Sequence, residues 1–184
     1  MKRTLAAALL SFSVAACGGS ESPPPPKEPP PELPSDEGCT RDTMESDFES
    51  SPLQGPGVDA QGKLAPGTYI MSSTYLRMGH SQEAQAEFQQ LMGPIDQTLQ
   101  QQQGLVAVQF AQSTRCNVKR TFTIWKDEEA MYQFVGSPAH AQAIARVSLV
   151  SRGGSAVTSW QDDERGATWE KALQQLAAET GPTY

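Results

Sequence analysis

Between Pro23 and Pro34 the chain reads PPPPKEPPPELP, and no part of that run can join a helix interior or a central sheet ladder. Each proline fixes φ and lacks the amide N–H that both structures need. The run favours extended polyproline II, so these residues span roughly 35–40 Å. Proline-reading domains bind such segments, but a stiff spacer is the simpler role. On its N-terminal side Gly18-Gly19-Ser20 is flexible; on its C-terminal side residues 35–65 stay rich in Ser, Asp, Glu, Gly and Pro. Residues 17–65 are therefore expected to form a mostly disordered tether, with a segment near Cys39 pinned to the domain downstream.

From residue 66 the pattern changes, and 66–181 reads as one folded domain. Thr68 to Met78 is rich in β-branched and aromatic residues and predicts a strand. Ser81 is a plausible N-cap, and Phe88, Leu91, Ile95 and Leu99 recur at helical spacing behind it. Gly93-Pro94 should kink or break that helix. Leu105–Ser113 alternates, with Val106, Val108 and Phe110 on one face. Val118–Trp125 comes next, with Thr121, Thr123 and Trp125 opposite Val118, Phe122 and Ile124. A short turn at Arg115-Cys116-Asn117 makes these two strands a hairpin. Asp127 and Ser137 open two further helices, Ser155–Gln161 is a strand, and 164–179 is a last amphipathic helix. The order is β-α-β-β-α-β plus a C-terminal helix, an α+β ferredoxin-like arrangement. Its sheet carries too many apolar positions for a wet second face, so a homodimer through the sheet face is expected.

The amino terminus resembles that of bacterial lipoproteins. Lys2 and Arg3 precede an apolar run from Leu5 to Val14, too short to remain as a membrane span. The run ends in Val14-Ala15-Ala16-Cys17, which resembles the lipobox. The resemblance implies that residues 1–16 are a signal peptide and that Cys17 becomes the acylated first residue. Several acyl chains anchor stably where one binds reversibly. The implied location is the cell envelope, on the outer membrane if the host has two, because Gly18 rather than Asp follows the lipid cysteine. Cys39 and Cys116 then remain. An exported pair often forms a disulfide, the alternative being two free thiols.

The segment Thr123-Ile124-Trp125-Lys126-Asp127-Glu128-Glu129-Ala130-Met131, continued by Phe134-Val135-Gly136-Ser137-Pro138-Ala139-His140, resembles the dimeric α/β-barrel superfamily. It is similar to the antibiotic-biosynthesis-monooxygenase-like branch and to a related group without assigned function. The resemblance implies a dimeric α/β-barrel and, in some relatives, oxidation of aromatic substrates with neither metal nor flavin. Trp125 and His140 are then the candidate catalytic residues, and Tyr75, Arg77 and Phe134 candidate pocket residues. Haem-degrading relatives carry Trp and His where this chain has Phe134 and Ile144, so that activity is not implied.

Other chemistries find little support. The formal net charge is −7, and loss of Lys2 and Arg3 with a signal peptide would lower it further. Phosphate binding needs clustered Lys and Arg, so nucleic acid is not an expected partner. With two histidines and no Cys-x-x-Cys, no metal site and no cofactor are expected. No G-x-S-x-G or glycine-rich phosphate loop occurs. No polar catalytic set stands out along the chain. The sequence therefore favours a membrane-tethered module that binds a small ligand or partner without catalysis. The alternative is a cofactor-independent monooxygenase acting on an aromatic or quinone-like substrate.

Overall fold

The computed structural model describes residues 36–184, so the expected signal peptide, Cys17 and the proline run lie outside the described residues. The elements are β1 (Glu49–Ser50), β2 (Thr68–Arg77), α1 (Gln82–Gln101), β3 (Leu105–Ser113) and β4 (Val118–Trp125). They continue with α2 (Glu128–Val135), α3 (Pro138–Ala145), α4 (Val147–Val150), β5 (Ala156–Asp163), a 3-10 turn (Glu164–Gly166) and α5 (Trp169–Ala178). The strands form a single antiparallel sheet in the order β1-β3-β4-β2-β5.

This corrects the expected ferredoxin-like, barrel-type fold in three respects. The sheet has a fifth strand, it stays open rather than closing into a barrel, and three helices separate β4 from β5. The physical reason lies in how the second sheet face is covered. Met71, Phe122 and Ile124 pack there against Trp169 and Ala172 of α5, with Phe48, Leu53, Val58 and Leu64 around them. Farther along the same face Tyr75, Val118 and Ala156 pack against Cys39, Cys116 and Leu176. The burial demand from which a homodimer was expected is thus met within one chain.

The segment assigned to a disordered tether is therefore ordered from residue 36 onward. Phe48, Leu53, Val58 and Leu64 pack it onto the sheet, and polar anchors add to them. Cys39 and Cys116 form a disulfide with Cα atoms 5.5 Å apart. The Arg120 guanidinium donates to the carbonyls of Thr40, Arg41 and Thr43 at 3.0–3.2 Å and to Glu45 Oε1 at 2.8 Å. Backbone pairing continues at Glu49↔Gln112 and Ser50↔Ala111, which makes β1.

Two local expectations also change. Helix α1 runs unbroken through Pro94, which sits with Gly93 on the exposed side while Leu91 and Leu99 are buried. Packing of that apolar face outweighs the amide bond lost at Pro94. In β3 a register shift between Leu105 and Ala107 makes Val106 a bulge. Val106 consequently packs on the α5 side with Ala107, while Phe110 stays on the face of α1 and α2.

Candidate functional site

The site is built from the end of β4 and the caps beyond it. Trp125 closes β4 and is 1% exposed. Its Nε1 donates to Thr123 Oγ1 at 2.9 Å, two residues back on the same face. Asp127 then caps α2 by accepting from the Ala130 amide at 2.9 Å, which starts the helix immediately beyond the strand. One turn later Phe134 stacks on Trp125, with ring centroids 5.3 Å apart. Ser137 caps α3 with Pro138 at its first position, and His140 is the third helical residue. The His140 ring lies 4.9 Å from Phe134.

His140 Nδ1 is 3.1 Å from the Val135 carbonyl. A carbonyl can only accept, so Nδ1 carries the proton and Nε2 keeps a free lone pair. Burial holds the imidazole below the usual histidine value of 6.5, against the smaller opposing effect of that hydrogen bond. The group is thus a neutral base with a defined tautomer.

These residues line a cavity of about 810 Å³ between the sheet and the helices. Phe88, Leu91 and Ile95 of α1 and Ile144 of α3 form apolar walls. The floor is polar. Ser72 of β2 lies opposite Thr123 of β4, and Thr74 opposite Thr121, so four hydroxyl side chains sit on the cavity face of adjacent strands. Ser72 Oγ donates to the Thr158 carbonyl at 3.0 Å, and Thr123 Oγ1 accepts from Trp125. Among the described residues the Thr74 and Thr121 hydroxyls make no side-chain hydrogen bond, and both face the cavity. An apolar chamber with a few convergent polar groups suits a small, largely hydrophobic ligand.

Of the sequence candidates, Trp125, Phe134 and His140 come together here. Tyr75 and Arg77 do not. Odd-numbered side chains of β2 point to the opposite face from Ser72 and Thr74. Tyr75 is buried there, donates to the Cys39 carbonyl at 2.8 Å, and stacks under Arg120, whose guanidinium lies 4.4 Å from the ring centre. Arg77 reaches Asp36 at 2.7 Å and the Gly153 carbonyl at 3.1 Å. Both hold the ordered tether segment instead of lining the cavity. Sequence reading missed Ser72, Thr74 and Thr121. Their signal was hydroxyls at period two in two neighbouring strands, which becomes visible as a patch only once the register is known.

Among the described residues no cluster of three His, Cys, Asp or Glu could hold a metal ion, and no helix is long and apolar enough to cross a membrane.

Comparison with known proteins places residues 71–146 in similarity to the antibiotic biosynthesis monooxygenase family, a match over less than half of the chain. A Mycobacterium tuberculosis protein, Rv0793, is similar at 15% identity, with a TM-score of 0.43 over 51% of this chain and 93% of that one. A Shewanella oneidensis protein is similar at 11% identity, with a TM-score of 0.46 over 64% and 99%. SnoaB from Streptomyces nogalater, described as a cofactor-independent oxygenase, is similar at 14% identity, with a TM-score of 0.38 over 52% and 90%. No curated protein matches the chain.

Proposed function

We propose that this protein is a cofactor-independent oxygenase that oxidises a phenolic or quinol-type ring in the cavity between sheet and helices. The observation that carries the reading is the Trp125–Phe134–His140 array. It places a neutral histidine of defined tautomer beside two aromatic rings in a chamber of about 810 Å³. The family similarity over residues 71–146 supports the reaction class. The non-catalytic reading rested on the lack of a polar set along the sequence. Folding assembles one, from His140, Ser72, Thr74, Thr121 and Thr123.

In this reaction a phenol and O2 give a para-quinone and water. His140 Nε2 takes the phenolic proton, and the electron-rich ring carbon bonds to O2. The protonated histidine returns its proton to the distal peroxide oxygen. Loss of that hydroxyl with the ring C–H proton releases water and leaves the second carbonyl. The Thr74 and Thr121 hydroxyls, on the same cavity floor, are donors available to charge that develops on the substrate.

The test is oxygen uptake with 1,5-dihydroxynaphthalene, which has a free C–H para to a hydroxyl, with one O2 consumed per quinone formed and no hydrogen peroxide released. His140→Ala should lower the rate about 100-fold or more. An unchanged rate would remove His140 from the chemistry. Saturable binding with no oxygen uptake would make the protein a ligand-binding module instead.

We further propose that the domain is displayed at the cell envelope by acyl chains on Cys17, with residues 1–16 removed. Intact mass of protein from membranes tests this, since an unmodified Cys17 thiol would overturn it.

A further inference from the structure

Helix α3 reads PAHAQAIA, carries no Asp, Glu, Lys or Arg, and has no buried residue. The stretch around it shares that character. Between Ala130 and Ser151 the chain has Arg146 as its one Asp, Glu, Lys or Arg, although 19% of all residues are charged. Arg146 is itself paired, donating to Glu87 Oε2 at 2.6 Å. Four large apolar side chains project from the stretch at 36–61% exposure: Tyr132 and Val135 on α2, Ile144 on α3 and Leu149 on α4. Helix α2 packs on α3, and α3 on α4, so the four belong to one helical layer. Single exposed apolar residues are ordinary, but an uncharged surface spread over three consecutive helices marks an interaction site.

The chain enters the domain beside this layer. Asp36, the first described residue, accepts from Arg152 Nη1 at 2.6 Å and from Arg77 Nη2 at 2.7 Å. Arg152 follows α4 across Ser151. The tether thus joins the domain next to the helix that carries Leu149. Its expected proline spacer is long enough for that face to reach the surface that holds Cys17.

From these features we infer that the outer face of α2 to α4 docks on the lipid surface to which Cys17 is anchored, lying in the interface rather than crossing it. Tyr132 suits the headgroup boundary, and Val135, Ile144 and Leu149 suit its acyl side. Glu128 and Glu129 are exposed at the start of α2 and bound the docked face there. With the patch's one cation already paired, the contact draws on apolar burial and gains nothing from anionic headgroups. Such a patch alone binds weakly, and tethering supplies the effective concentration that keeps it seated. Val135 and Ile144 also line the cavity, so part of its rim faces the lipid. A second copy of the chain on the same face would instead close that rim on both chains. This assignment rests on the Cys17 acylation proposed above and adds how the anchored domain is oriented.

The test supplies the anchor chemically, so it stands whether or not Cys17 is acylated in the cell. The chain from Cys17 to Tyr184 keeps every described residue, and with Cys39 and Cys116 joined, Cys17 is its one free thiol. That thiol is coupled to a maleimide lipid in phosphatidylcholine vesicles, with or without phosphatidylcholine brominated near the top of one acyl chain. Leu149→Trp should lose tryptophan emission to the bromines and shift to shorter wavelength, beyond any change in the unaltered chain. Gln174→Trp, exposed on α5 across the sheet, should do neither. Adding Tyr132→Glu and Ile144→Glu to Leu149→Trp should abolish the quenching, and phosphatidylglycerol should not strengthen it. No quenching at 149, equal quenching at 149 and 174, or quenching that survives the two glutamates would overturn the docking. So would quenching seen only with phosphatidylglycerol, which means an electrostatic contact. Self-association that the two glutamates abolish would also overturn it, by making the face a protein interface. Intact mass decides the native acylation separately.

Discussion

The Glu45 carboxylate meets the Arg120 guanidinium at 2.8 Å with both side chains wholly out of solvent. The pair joins the ordered tether segment to the middle of the sheet. Removing one partner leaves the other charge buried, which is far costlier than the pair is stabilising. Glu45→Ala should therefore cost about 3–5 kcal/mol in urea unfolding, with Glu45→Gln milder because its amide oxygen still accepts. A loss no larger than that of an exposed pair, about 1 kcal/mol or less, would show that the pair contributes little to stability.

The disulfide closes a sequence separation of 77 residues. In the chain-entropy model a closure of that length stabilises by about 4 kcal/mol, and measured values are often smaller. Cys39→Ser combined with Cys116→Ser should lower the unfolding midpoint. It should also expose residues 39–48 to protease before the rest of the domain. Cleavage elsewhere first would mean that the remaining contacts hold the segment without the disulfide.

Thr123 Oγ1 is the acceptor for the Trp125 indole N–H. Thr123→Val keeps the shape and strands that N–H in the core, at a cost of about 1–3 kcal/mol. Trp125→Phe together with Thr123→Val should recover part of the loss, because no donor is then left unpaired. A double variant less stable than the sum of the two single changes would argue against the bond as the cause.

Burial lowers the His140 pKa in the folded protein. The unfolded chain then takes up the proton first, so stability falls with acid. The contribution is complete above the unfolded value near 6.5 and declines as pH drops from there toward the lower folded value. Urea midpoints measured down this window should show a slope that His140→Ala flattens. The acid limb of oxygen uptake should likewise lie below 6.5, and a limb above that value would contradict a buried neutral base.

Much of the candidate site was legible because its determinants are local. Trp125, Thr123 and Thr121 share a face by strand alternation, and the caps at Ser81, Asp127 and Ser137 follow from short polar residues ahead of apolar runs. Strand alternation also separates Tyr75 and Arg77 from Ser72 and Thr74. It does not say which of the two sets meets helices α1 to α3, and there the sequence reading chose the wrong side. The bulge at Val106 had no signal in the alternation, since one inserted residue leaves the composition of β3 unchanged.

By itself the sequence determined the central strands, the helix starts, the hairpin and the residues that travel together on each face. These follow from periodicity and capping within a few neighbours. Only the tertiary structure decided that residues 36–65 pack on the sheet, that the sheet stays open, and that Thr74 shares a chamber with His140. The Arg120–Glu45 pair spans 75 residues of sequence, and Arg120's other partners are backbone carbonyls, which every residue possesses. An interaction of that kind has no pattern along the chain, because the geometry that selects its acceptors exists only after the strands have paired.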